Sequence, residues 1–270
     1  MVEAVLDDRG TGLGAESSSE QGQRIAAAFP EAYKEDFTAA EGLADFRRIE
    51  ALKPGDLDLV FYVPRDAEPG ERRFKLFLVG ARLTLSDVLP MLQRMGVVVV
   101  DERPYELSRD DGAECWIYDF GLRVDQVTLD KLSAEDMEAV RTRFQDAFAA
   151  AWRGEAEVDG FNTLVLKAGV TWQQAAMLRA YAKYLRQAGT PYSQDYIEDA
   201  VLGHTEVATA LVRLFEARFD PALSDDQRVG RTEHLVTEIT AMIDDVTSLD
   251  ADRILRSLLT LVQATLRTNY

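Results

Sequence analysis

The stretch LDLVFYVPRDAEPGERRFKLFLV, Leu57 to Val79, decides the fold class of this chain. Leu57 to Pro64 is strand-like. Glu68-Pro69-Gly70-Glu71 carries turn residues, and Arg72 to Val79 alternates Phe74, Leu76 and Leu78 on one face. Two strands around a short turn make a hairpin. Upstream, Thr38 with Glu41 forms a capping box, in which a hydroxyl and a carboxylate satisfy the free amides of a helix start. Leu43, Phe46, Ile49 and Leu52 mark the buried stripe of that helix, and Pro54-Gly55 ends it.

Downstream, Thr84 and Ser86 open a helix that turns Val88, Leu89, Leu92 and Met95 inward and stops at Gly96. Pro90 falls in its early turns and is expected to bend it or shorten its start. The apolar run Val97 to Val100 leads into Asp101 to Leu107, and Asp110-Asp111-Gly112 turns the chain. Glu114 to Leu122 then returns as a strand. A long helix is expected from Ser133 through Trp152, with Met137, Val140, Phe144, Phe148 and Trp152 on one stripe. The order from Thr38 is α, β, β, α, β, β, α, which predicts an antiparallel sheet with helices on one face. This is an α+β, ferredoxin-like or ACT-like module of about 90 residues.

Beyond Phe144 nearly everything is helical. Gly154 to Gly160 is a polar link, and Phe161 to Ala168 a short helix ended by Gly169. Thr171 caps a helix with Ala175, Leu178, Tyr181, Ala182 and Leu185 at three- and four-residue steps; Gly189 and Pro191 stop it, and Ser193 with Asp195 starts its partner. Further helices are expected over 205–219, 228–246 and 250–267. The division is thus a flexible leader over 1–28, an ACT-like module over 29–127 and an all-α region over 128–270. That last region contains a hairpin over 171–202 and terminal helices over 205–267. The leader is rich in Gly, Ser, Glu and Gln and too poor in large apolar groups to offset ordering entropy. Its Gly10-Thr-Gly12-Leu-Gly14-Ala15 overlaps a dinucleotide fingerprint, but Val2 to Leu6 is a poor strand to precede a phosphate loop.

A composition of 47% hydrophobic and 29% charged residues is that of a globular protein, and no apolar run approaches the length needed to span a bilayer. No signal peptide opens the chain. The net charge of −17 repels nucleic acid. The single Cys115 forms no internal disulfide, which fits a cytoplasmic setting. The acidic pairs Asp101-Glu102, Asp110-Asp111 and Asp225-Asp226 lack the alternating spacing of a calcium loop and read as solvated turns. His204 and His234 have no second ligand at metal spacing, Cys115 reads as a small core residue, and Ser193 lacks a nucleophile elbow. Tyr181, Tyr184, Tyr192 and Tyr196 read as packing or a protein interface. No catalytic, cofactor-binding or metal-ligating residue is assigned.

Ten phrases in order carry a resemblance. They are Phe29-Pro-Glu-Ala-Tyr-Lys-Glu-Asp-Phe37, Leu85-Ser-Asp-Val-Leu89, the run Gly96 to Leu107, Trp116-Ile-Tyr-Asp-Phe120, Phe144-Gln-Asp-Ala-Phe148, Trp152-Arg-Gly-Glu155, Asp159-Gly-Phe-Asn162, Leu178 to Gln187, Phe215-Glu-Ala-Arg-Phe219 and Thr265 to Tyr270. Together they resemble the large bacterial NAD-specific glutamate dehydrogenases, from about Phe29 to Tyr270. The resemblance implies the last ACT-like module, roughly Thr38 to Val127, and a helical region ahead of a catalytic domain that begins beyond Tyr270. It implies a non-catalytic regulatory or structural segment, with NAD bound elsewhere in the full enzyme and no cofactor in this chain. The whole enzyme would convert L-glutamate and NAD to 2-oxoglutarate, ammonium and NADH in the cytoplasm. Implied partners are the remaining domains, like subunits in a homo-oligomer and an amino-acid effector, with no nucleic acid and no membrane. The stop at Tyr270 in mid-phrase suggests a fragment. The rival expectations are a stand-alone ACT-type amino-acid sensor and a helical adaptor docking through Thr171 to Tyr196.

Overall fold

A computed structural model describes residues 15–268. Two compact units divide the chain, one reaching up to Leu89 and including Val98–Val124, the other made of Pro90–Val97 and the residues from Asp125 onward.

The first unit opens with three helices, α1 (Ala15–Ala28), α2 (Glu31–Asp36) and α3 (Ala39–Ala51). Helix α1 occupies residues 15–28 of the stretch expected as a flexible leader; the rest of that stretch lies outside the described residues. Ile25 and the following Phe29 supply the apolar anchors, at 2% and 5% exposure, that the Ser/Glu/Gln composition obscures. Gly10 to Gly14, with most of the dinucleotide-like pattern, lie outside the described residues. Helix α3 begins at the expected capping box: Thr38 Oγ1 accepts from the Glu41 amide, and Glu41 Oε2 accepts from the Thr38 amide at 2.8 Å.

The sheet comprises β1 (Leu57–Tyr62), β2 (Glu71–Val79), β3 (Val98–Ser108) and β4 (Glu114–Arg123), all antiparallel neighbours in the order β1-β2-β4-β3. Strands β2 and β3 therefore run the same way with β4 between them. The turn before β2 needs Gly70: its φ is +87°, its carbonyl accepts from the Val124 amide at 2.9 Å, and a Cβ there would meet the Val124 carbonyl. Strand β3 is an edge strand, which tolerates Pro104, and its register shifts between Val99 and Asp101. Helix α4 (Leu85–Arg94) runs through Pro90, which neither breaks it nor delays its start.

The expected one-sided sheet is instead buried on both faces. Phe61, Phe74 and Phe120 share a row on one face, Phe77 and Ile117 a row on the other, and all five are fully buried. Central strands β2 and β4 carry apolar residues at odd and even positions alike, the pattern of a sheet covered twice. On the Phe77 face, Ile25, Phe29, Tyr33, Leu43 and Ile49 pack with Val79, Tyr105, Leu107 and Cys115.

The second unit is helical: α5 (Gln126–Ala134), α6 (Met137–Trp152), a 3₁₀ turn at Gly160–Thr163, α7 (Leu164–Lys167), α8 (Trp172–Gln187), α9 (Gln194–Leu202), α10 (Thr205–Phe219), α11 (Asp225–Asp244) and α12 (Leu249–Ala264). The long helix expected from Ser133 begins at Met137, because Asp136 caps it through the Glu138 amide at 3.0 Å, while Ser133 belongs to α5 and bonds back to the Leu129 carbonyl. The hairpin is as expected, Thr171 capping α8 and Ser193 capping α9. One apolar cluster runs from Phe161 and Leu164 through Leu178, Ile197, Leu211 and Leu214 to Ile239, Ile254 and Leu258.

Candidate functional site

The sheet register places a set of charged and phenolic groups on the Phe77 face. Tyr62 opposes Arg73, Lys75 opposes Asp119, and Asp119 opposes Arg103 on its other side. Arg73 Nε donates to Asp119 Oδ2 at 2.8 Å and Arg73 Nη2 to Asp101 Oδ1 at 3.0 Å, with Tyr62 adding a bond to Asp119 Oδ2 at 3.1 Å. Lys75 Nζ donates to Asp45 of α3 at 2.5 Å, Tyr33 of α2 donates to the same oxygen at 2.6 Å, and the ammonium sits 3.7 Å from the Phe37 ring centre. At the rim Tyr105 and Arg103 donate to Asp36 at 2.6 and 2.9 Å.

These charges are deeply placed: Lys75 is 4% exposed and Asp119 fully buried. Burial pushes the Asp119 carboxyl above the ordinary carboxylate range, against the pull of Arg73 and Lys75. Burial disfavours the Arg73 charge, but Asp119 and Asp101 outweigh it and hold its pKa above the usual value. Tyr33 is raised by burial and by Asp45, so it stays a donor. Among the described residues Asp119 Oδ1 has no hydrogen-bond partner. Each cation of this arrangement meets a carboxylate. The arrangement clamps α2 and α3 to the sheet and offers no nucleophile paired with a base.

A second polar cluster centres on the 3₁₀ turn. Arg179 of α8, 4% exposed, donates to Asp159 Oδ2 at 2.6 Å, to Asp159 Oδ1 and Asn162 Oδ1 at 2.9 Å, and to the Glu157 carbonyl at 3.2 Å. Glu198 of α9, equally buried, accepts from the Gly160 amide at 2.9 Å and from Gln194 at 2.9 Å. A side chain at Gly160 would run into that carboxylate. The phrase Asp159-Gly-Phe-Asn162 is thus a turn held from two helices. Sequence reading assigned none of Arg73, Lys75, Asp119, Arg179 or Glu198. Charges inside apolar runs are the one signal that marks them.

The residues weighed from sequence are dispersed. Ser193 caps α9 through the Tyr196 amide at 3.2 Å. His204 Nδ1 lies 2.8 Å from the Ala200 carbonyl, and His234 is exposed on α11. Cys115 is buried, which raises its thiol pKa. Asp101 pairs with Arg73, Asp111 with Arg109 at 2.7 Å, and Asp225-Asp226 occupy the first turn of α11. Tyr192 and Tyr196 stack at 5.6 Å and Tyr192 donates to Asp250, while Tyr181 bonds Thr265 at 2.8 Å. Among the described residues no three His, Cys, Asp or Glu side chains converge on a metal position. No helix there is long and apolar enough to cross a membrane.

Two of the cavities in the structure bear on function. One of about 260 Å³ in the first unit is bounded by Phe29, Tyr33, Lys34, Phe37 and Gly42. The other, an open groove of about 890 Å³, lies in the second unit among α8, α10 and α12.

Four family models match in chain order: glutamate dehydrogenase helical motif 2 over 11–52, the glutamate dehydrogenase ACT3 domain over 56–137, helical motif 3 over 156–221, and the bacterial NAD-glutamate dehydrogenase catalytic domain over 238–270. The ACT3 match spans the whole sheet, whose ACT-like fold it supports. The last match corrects the expectation that catalytic-domain sequence begins beyond Tyr270, since it takes in part of α11 and all of α12. The NAD-specific glutamate dehydrogenase of Mycobacterium tuberculosis is 46% identical over 245 residues, 91% of this chain and 15% of that protein. Those of Halomonas elongata and Pseudomonas aeruginosa are 42% and 38% identical over 96% and 90% of the chain, and 16% and 15% of their own lengths. The chain thus spans about 15% of the length of the curated relatives it matches. By the order of these matches and the relatives that run the length of it, the chain belongs to the bacterial NAD-specific glutamate dehydrogenase family, as the ACT-like and helical segment that leads into the catalytic domain.

Proposed function

We propose that this chain is a non-catalytic structural and regulatory segment of an NAD-dependent glutamate dehydrogenase. The whole polypeptide would oxidise L-glutamate to 2-oxoglutarate and ammonium while reducing NAD, in the cytoplasm and as a homo-oligomer. The observation that carries this is the ordered run of four matches, backed by 38–46% identity over at least 90% of the chain. The geometry agrees with a supporting role, because the buried charges are spent on each other.

The test is to isolate the native product with an antibody to this segment and assay the isolate for glutamate-dependent NADH formation. Activity in the isolate supports the reading; an isolate that holds the chain without activity contradicts it. A second reading, an amino-acid sensor, rests on the 260 Å³ cavity, where Lys34 and Glu31 pair at 2.8 Å beside the aromatic wall. Such a pair suits the carboxylate and ammonium of a free amino acid. Calorimetry with amino acids tests it: saturable heats that Phe37→Trp abolishes support it, and flat titrations contradict it.

A further inference from the structure

The groove among α8, α10 and α12 is walled by Trp172, Met177, Tyr181, Tyr184, Phe215 and Leu261. Its rim is open, with Tyr184 57% exposed. An apolar surface of this kind, left to water, marks an interface.

The path of the backbone indicates what covers it. At the end of α12, Thr265 Oγ1 meets the Tyr181 hydroxyl at 2.8 Å, and Arg218 donates to the Gln263 and Thr265 carbonyls at 2.8 and 2.9 Å. These bonds lead the backbone along the groove, so that Thr265, Arg267 and Thr268 form part of its lining. The catalytic-domain match runs through this point, and the relatives extend far beyond the 15% of their length matched here. In a polypeptide that continues as those relatives do, the next residues would start from the rim of the groove. A segment tethered there has an effective concentration on the order of millimolar, which favours it over a free partner.

The geometry points to one occupant: an amphipathic segment of the same polypeptide, from the catalytic domain beyond residue 268, seated with its apolar face on Trp172, Met177 and Phe215 and an acidic side chain against Arg267. This rests on the reading of the chain as part of a larger dehydrogenase. The test is oxidative footprinting of Trp172, Met177 and Tyr184 in the native polypeptide and in the 270-residue chain alone, each also as Ala180→Arg. Ala180 is exposed on the groove lining, so this substitution leaves the fold of the short chain intact.

In the larger polypeptide, labelling is expected to be on the order of fivefold slower, because a seated segment excludes the oxidant, and Ala180→Arg is expected to restore the rate of the short chain. Equal rates in a larger polypeptide overturn the docking and leave the segment reading standing. Protection that Ala180→Arg does not relieve also overturns it, as does protection of the short chain that grows with its concentration, which assigns the groove to a second copy. A native product of the short chain's mass overturns both readings.

Discussion

Lys75 and Asp45 show what a single side chain does in this fold. The pair is buried, 5% and 8% exposed at the side chains, and joins β2 to α3. Lys75→Met leaves the Asp45 carboxylate buried without its cation and is expected to cost about 3–5 kcal/mol in urea denaturation, whereas Lys75→Met with Asp45→Leu should cost less than Lys75→Met alone. A double variant as unstable as the sum of its singles would show that the pair is not coupled. Glu41 supplies a pH dependence. Burial works against its charge, but the hydroxyl and amide of Thr38 outweigh it, so its pKa lies below the ordinary glutamate value. A depressed folded pKa gives stability that is present above the unfolded value and lost as pH falls through the folded one. Glu41→Gln should therefore lower the melting temperature at pH 7 and converge with the parent chain as both are taken below the ordinary glutamate pKa; a gap unchanged by acid would contradict this.

Among elements, those whose signal is local were legible from sequence. Thr38 with Glu41, Thr171 and Ser193 each cap the helix their spacing announces. Where the reading failed, the cause lay in residues distant along the chain. Arg73 and Lys75 alternate with Phe74 and Leu76, a pattern that reads as a polar outer face, yet α2 and α3 bring Tyr33 and Asp45 to cover it. Likewise α1 forms from a polar composition because Ile25 reaches the core under it. The break between α5 and α6 was missed because Asp136, and not the expected Ser133, caps the second helix. The 3₁₀ turn depends on Arg179, whose planar fork reaches Asp159 twice and Asn162 as well. Arg179→Lys cannot keep that geometry and is expected to lose on the order of 2 kcal/mol, with faster hydrogen exchange at residues 159–163. Unchanged exchange in the turn would show that the clamp is dispensable.

For the whole molecule, the −17 net charge bears on partners, since it disfavours polyanions. The groove was not legible in the sequence, since it forms from Trp172, Phe215 and Leu261 on three helices. The central claim is that these residues work as one part of a longer enzyme. The most direct test is the intact mass of the native product, taken from its own cells with an antibody to this segment. The expected result is a polypeptide several times 30.2 kDa that reduces NAD when given glutamate. A product of 30.2 kDa would contradict it and leave an independent ACT-type protein in its place.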